Sequence, residues 1–215
     1  MSGREGALSL AKTGIFGGTF NPPHLGHRNI AEGFVAHCSL DRMLIIPAAI
    51  PPHKAAPDLA SAEDRLHMCE KTFADGRFTI DPIELNRQGK SYTVDTLRQL
   101  KQRYGENDEF YFLMGDDMLL YLDKWYEPRE ILRLATVVSA VRSSRVSLED
   151  LCSYAERTFP EEYRNGRFQF YEIPPVDVSS TEVRRRVRSG ESLEGLVAPE
   201  VAQYIADRGL YHGST

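Results

Sequence analysis

The chain has 215 residues, 41% of them hydrophobic and 27% charged, enough to bury roughly 70% of its unfolded surface and too ordinary a composition for a disordered or fibrous protein. Its net charge of -5, from 31 acidic and 26 basic residues, has the wrong sign for gripping long nucleic acid, so any phosphate site has to be a local basic cluster. No stretch approaches the ~18 apolar residues of a membrane span, and Cys38, Cys69 and Cys152, odd in number and without a CxxC pair, argue against a disulfide framework or a zinc site and for the reduced thiols of a cytoplasmic protein.

Residues 1–11 lack a continuous apolar run and read as a flexible extension, with 12–215 as one domain that includes the C-terminal helices. Short apolar runs then recur: 13–16 (TGIF), 42–48 (RMLIIPA), 77–85 (RFTIDPIEL), 109–115 (EFYFLMG), 136–141 (TVVSAV) and 167–174 (RFQFYEIP). Helical signals stand between them, such as Ser61 with Asp64 three residues on, a capping box ahead of RLHMCEKTF. Pro199 and Gly209 bracket a last helix as first residue and cap. This alternation predicts an α/β fold, a doubly wound parallel sheet with helices on both faces, whose ligand crevice lies beyond the carboxyl ends of the strands.

The residues just after the strands are therefore the informative ones. In GIFGGTFNPPHLGH, residues 14–27, Gly17 and Gly18 let backbone approach a ligand, and Pro22 and Pro23 set up a helix start that favours anions. His24 and His27, three apart, share a face of that helix and aim two imidazoles at one place, suited to ATP phosphates. Gly26 between them leaves room for an adenosine to press on the backbone. In VSSTEVRRRVRSG, residues 178–190, Ser179 and Glu182 fit a capping box, and Arg184 falls on the side of Ser180 and Thr181 while Val183 and Val187 form the buried stripe. That is a second helix start with hydroxyls and a fork-shaped cation; Arg185 and Arg188 read as a solvated face. PAAIPPHK, residues 47–54, stiffens a loop that presents His53 and Lys54 at the crevice, where an ammonium can neutralise phosphate charge.

The first string resembles the T/HxGH signature of the nucleotidyltransferase superfamily, in the form GGTFNPPHLGH found in bacterial nicotinate mononucleotide adenylyltransferases. The second is similar to that family's SSTxIRxR motif, with Val183 in place of isoleucine and Arg186 also matching, and Arg65 matches in the helix after PPHK. The resemblance runs from about Thr13 to Tyr211. It implies a Rossmann-like fold and adenylyl transfer from ATP to nicotinate mononucleotide, with Mg²⁺ arriving on ATP and no metal held by the protein alone. It further implies an ATP site over Gly17, Gly18, Thr19, Phe20, His24, Gly26, His27, Asp117, Ser179, Ser180, Thr181 and Arg184, with His24, His27, Lys54 and Arg184 acting on the reacting phosphates. By the same resemblance Trp125 stacks on the pyridine ring, while Tyr92, Thr93 and Tyr126 supply donors to its carboxylate and Lys54 meets substrate charge. Asp116 stays unassigned. One departure is that Arg142 is followed by Ser143 and Ser144, where the family has an RPG-like turn.

The competing readings are an adenylyltransferase for nicotinamide mononucleotide or phosphopantetheine, and a redox enzyme or nucleotide sensor on a Rossmann-like domain. Neither GxGxxG nor GxxxxGK[ST] occurs, and the Gly17–Gly18 turn leads to histidines.

Overall fold

The computed structural model describes residues 11–49, 58–87, 89–105, 107–141, 146–174 and 178–213. His53, Lys54, the 142–144 turn and residues 1–10 of the expected extension lie outside them. In chain order the elements are β1 (Lys12–Gly18), α1 (Leu25–Cys38), β2 (Arg42–Pro47), α2 (Ala62–Thr72), β3 (Thr79–Ile80), α3 (Thr93–Tyr104), β4 (Glu109–Gly115), α4 (Asp116–Leu119), a 3-10 turn (Leu122–Lys124), α5 (Pro128–Leu134), β5 (Thr136–Val141), α6 (Leu148–Thr158), α7 (Pro160–Arg164), β6 (Phe168–Glu172), α8 (Ser180–Ser189) and α9 (Pro199–Arg208). The strands form one sheet in the order β3-β2-β1-β4-β5-β6, every pairing parallel.

The strands are apolar runs rather than alternating patterns because helices cover both faces. Successive side chains enter different cores. Ile15, Leu44, Ile46, Phe112 and Val137 meet α3, α5 and α6 on one side, while Phe16, Met43, Ile45, Leu113 and Val138 meet Ile30, Ala31 and Phe34 of α1 on the other. Fully burying one such side chain contributes about 1.5–3 kcal/mol. The run at 77–85 yields only a two-residue strand, for a local reason: Pro82 has no N–H for the ladder, and Asp81 turns its carboxylate to the Ile83 N–H at 3.0 Å and to Arg103.

A third apolar cluster joins Met68 of α2 to Val183 and Val187 of α8 and to Val201 and Ile205 of α9. Ser61 caps α2, its Oγ accepting the Asp64 N–H at 3.0 Å. The Asp64 carboxylate accepts the Ser61 hydroxyl at 2.6 Å, together with Tyr204 Oη at 2.9 Å and Arg208 Nε at 3.1 Å from α9. Burial pushes this carboxyl up, but those donors outweigh it and hold it below the ordinary range. α9 starts at Pro199 and ends on Gly209 with φ 60°, the left-handed cap expected of glycine.

Candidate active site

In a sheet ordered 3-2-1-4-5-6, the connections after β1 and β4 leave in opposite directions and open a crevice at the strands' carboxyl ends. A cleft of about 670 Å³ lies there, walled by Gly17, Gly18 and Thr19 after β1, Ala48 after β2, Met114 and Gly115 of β4, Asp117 of α4 and His27 of α1, with Tyr92, Thr93, Trp125 and Tyr126 also in its wall.

Gly17 and Gly18 have different reasons to be glycine. A Cβ on Gly17 would stand 3.8 Å from Phe112, in ordinary contact, whereas one on Gly18 would come within 2.9 Å of the Phe20 ring. Phe20 itself adopts φ 49°, a left-handed conformation that costs a bulky residue about 1–2 kcal/mol. Its ring is 2% exposed, wedged edge-on against Phe16, His27 and Phe73. The side chain of Phe20, a residue expected among the ATP contacts, is a core wedge that shapes the turn. The turn is also held by Arg65, 1% exposed, whose guanidinium donates to the carbonyls of Thr19 (2.9 Å), Ala48 (2.6 Å), Ala49 (3.1 Å) and Ala60 (3.2 Å). A buried cation survives only with such partners, so Arg65 ties the ends of β1 and β2 together.

The histidine helix starts one residue later than PPH suggests. His24 is extended, φ -146°, and precedes α1 as its N-cap. Its N–H donates to His27 Nδ1 at 3.2 Å, so neutral His27 carries its proton on Nε2, a donor for the cleft it lines. The rings lie 3.7 Å apart, tilted 33°, yet His24 is 3% exposed and stands behind His27 rather than in the cleft wall. Gly26 makes that possible, since a Cβ there would stand 3.0 Å from His24 Nδ1. The room that Gly26 leaves on its Cβ side is used by the His24 ring. The Leu25 N–H, one of the expected free donors, is bonded to Leu196 O at 2.8 Å.

The start of α8 docks on the same segment. Ser179 caps it, accepting the Glu182 N–H at 3.2 Å, but Glu182 turns its carboxylate to Arg185 and Arg186 instead of closing a capping box; those guanidiniums pull its carboxyl down to about 2. Ser180 Oγ donates to Pro22 O at 2.8 Å, and Arg184 donates to Asn21 O at 2.7 Å and Thr181 Oγ1 at 3.3 Å. Arg184 Nε is buried without a hydrogen-bond partner among the described residues. Ser179, Ser180, Thr181 and Arg184 thus flank the cleft at the start of α1 and do not line it. Arg185 pairs with Glu182 and Glu191, and Arg188 with Asp58, at the surface.

At the other end of the cleft Trp125 is half-buried, edge-on to Phe112 at 6.2 Å, so packing and cleft-lining coexist in one ring. Tyr126 is 54% exposed and leans on Tyr92 at 4.9 Å, and the neighbouring Glu127 carboxylate raises its pKa. Thr93 opens α3 with no side-chain cap; the Asp95 N–H already donates to Tyr92 O at 3.2 Å, which leaves the N–H groups of Thr93 and Val94 at the helix start. Two charged cleft-lining groups were not singled out from the sequence: Lys124, whose ammonium is 2.8 Å from Asp123, and Glu84. The second had a signal, an acid inside the apolar run at 77–85. Asp116, unassigned from sequence, is 2% exposed and accepts the Asp117 N–H at 2.9 Å.

The profile of the cytidylyltransferase-like family matches residues 15–186. A probable nicotinate-nucleotide adenylyltransferase of Geobacillus kaustophilus is 40% identical over 96% of this chain and 88% of its own length. The nicotinate-nucleotide adenylyltransferase of Bacillus subtilis is 35% identical over 94% and 99%. The chain belongs to the nicotinate-nucleotide adenylyltransferase family. The adenylyltransferase fold is also that of a solved Plasmodium falciparum nicotinic acid mononucleotide adenylyltransferase complexed with NaAD, with TM-score 0.76 at 18% identity over 94% of this chain and 97% of that one. In this adenylyltransferase chain, then, the expected residues fall into three groups: the cleft wall with His27, Thr93 and Trp125, the flanking α8 start with Arg184, and the packed pair His24 and Phe20.

Proposed function

We propose that the protein transfers the adenylyl group of ATP to nicotinate mononucleotide, releasing pyrophosphate and forming nicotinate adenine dinucleotide. The observation that carries this reading is that one cleft joins the glycine turn and His27 to the Thr93, Trp125 and Tyr126 end, a phosphate-binding start opposite an aromatic pocket with donors. The substrate phosphate, ionised at neutral pH, attacks the α-phosphorus of ATP in line, so no general base or covalent nucleophile is needed. The protein's work is positioning and charge stabilisation. His27 donates from Nε2, while Arg184, held by Asn21 and Thr181 at the flank of the cleft, supplies positive charge beside the phosphates. Trp125 stacks on the pyridine ring, and the Thr93 hydroxyl and the N–H groups at the α3 start and at Tyr126 meet its carboxylate.

Magnesium enters with ATP in this account. Mg²⁺ needs only one or two carboxylates beside phosphate oxygens and water, and Asp117, exposed in the cleft wall, is a suitable donor; the ion would offset charge on the transferring and leaving phosphates. We also place the protein in the cytoplasm, a setting that suits the free thiols of Cys38, Cys69 and Cys152. Among the described residues no helix is long and apolar enough to cross a membrane.

Incubation with ATP, Mg²⁺ and nicotinate mononucleotide is expected to release pyrophosphate and dinucleotide one to one. Nucleotide binding without pyrophosphate release would contradict the proposal. Arg184→Lys keeps the charge and loses the fork, and is expected to lower kcat/KM for ATP by on the order of 10- to 100-fold. Arg188→Ala, which breaks only a surface pair with Asp58 of the kind worth about 0–1 kcal/mol, should stay within about twofold. Steady-state kinetics of the two variants decide the matter, and greater sensitivity at Arg188 would refute the assignment.

A further inference from the structure

Glu84 stands 7% exposed in the cleft wall, between the short β3 and α3. A carboxylate in such a place needs donors. On the segment that follows, Thr96 Oγ1 donates to it at 2.7 Å, and the Ser91 hydroxyl is its second polar neighbour, one that draws its carboxyl down. Both hydroxyls are buried, at 3% and 8% exposed. Each is tied further, Ser91 Oγ accepting the Ala49 N–H at 3.1 Å from the end of β2, and Thr96 Oγ1 receiving Arg87 at 3.3 Å. Burial pushes the Glu84 carboxyl up, while Thr96, Ser91 and the Arg87 charge draw it back. The residues pinned on either side, Ser91 and Thr96, bracket Tyr92 and Thr93.

We propose that Glu84 is a positioning residue that clamps the Ser91 and Thr96 hydroxyls and so fixes the start of α3, setting affinity for the pyridine mononucleotide without acting on ATP. This rests on the reading that Thr93 and the α3 start receive the nicotinate carboxylate. The clamp joins three chain segments: the end of β2 through Ala49, the 84–87 turn through Glu84 and Arg87, and the first turn of α3 through Thr96. Loosening it leaves in place His27, which lines the phosphate end, the Arg184 bond to Asn21 that flanks it, and the Arg65 bonds that still hold Ala48 and Ala49. A cavity left by a general loss of packing would instead degrade both ends together.

The test uses Glu84→Gln, which keeps the shape but replaces one acceptor oxygen by an NH₂ group, and Thr96→Val, which keeps the shape and removes one hydroxyl. Each is expected to raise KM for nicotinate mononucleotide about tenfold, as for one or two buried hydrogen bonds, with KM for ATP within twofold and kcat within about threefold. Glu84→Ala should be worse than Glu84→Gln. Trp125, the single tryptophan, lies in the cleft, so its fluorescence titrated with nicotinate mononucleotide alone reads binding apart from chemistry and should show the same weakening. If the unmodified protein binds and turns over the mononucleotide but the variants leave its KM unchanged, or raise both KM values equally, the clamp is refuted while the functional reading stands. An unmodified protein that neither binds nor turns over nicotinate mononucleotide would overturn both.

Discussion

His27→Ala is expected to lower kcat by on the order of 10² to 10³ while KM for ATP stays within a few-fold. That is the scale for losing one preorganised donor to developing charge in a site where it need not reorganise. The donor is preorganised here because the His24 N–H holds Nδ1, which fixes both the tautomer and the ring plane, and because the rings of His24 and Phe20 pack on it at 3.7 and 5.1 Å. The His24→Ala, His27→Ala double variant should resemble His27→Ala alone, since His24 acts through the ring it supports. Single-turnover rates with saturating ATP test this, and near-normal turnover in the double variant would remove the histidines from the chemistry.

The strands were legible because a fully buried parallel sheet writes itself as contiguous apolar runs: those at 109–115 and 136–141 coincide with β4 and β5. The run at 77–85 misled because one proline can end a ladder that hydrophobicity alone would extend. At the site the sequence placed His24 on the helix, but its extended backbone makes it a cap, and Gly26 makes room for that imidazole. Phe20 looks like a ligand contact in a motif and is a strained wedge. The role of Arg65, a residue picked out only by resemblance, and that of Glu84 show why the remainder was hidden. Arg65 works through carbonyls up to 46 residues away and Glu84 through a hydroxyl 12 residues away, and pairings across turns leave no periodic trace. Lys54 and the 142–144 turn lie outside the described residues, so their expected roles rest on the motifs alone.

The other large effect concerns the choice between nicotinate mononucleotide and its nearly isosteric amide. Size cannot separate an acid from an amide, so the preference has to come from donors that meet a carboxylate and offer no acceptor to an amide N–H. In the proposed site the Thr93 and Val94 N–H groups and the Tyr126 N–H are such donors, whereas the Thr93 hydroxyl can donate to the acid but also accept from an amide. A hydrogen bond to a charged group contributes roughly 1.5 to 3 kcal/mol, and two of them give a preference on the order of 10² to 10⁴ in kcat/KM. Stacking is indifferent to acid or amide, so Trp125→Ala should weaken both substrates alike, whereas disturbing Thr93 should narrow the ratio between them. The most direct measurement is kcat/KM of the unmodified protein for the two mononucleotides under identical ATP and Mg²⁺. The acid is expected to win by at least about 100-fold; equal values, or a preference for the amide, would contradict the substrate assignment and leave only adenylyl transfer standing.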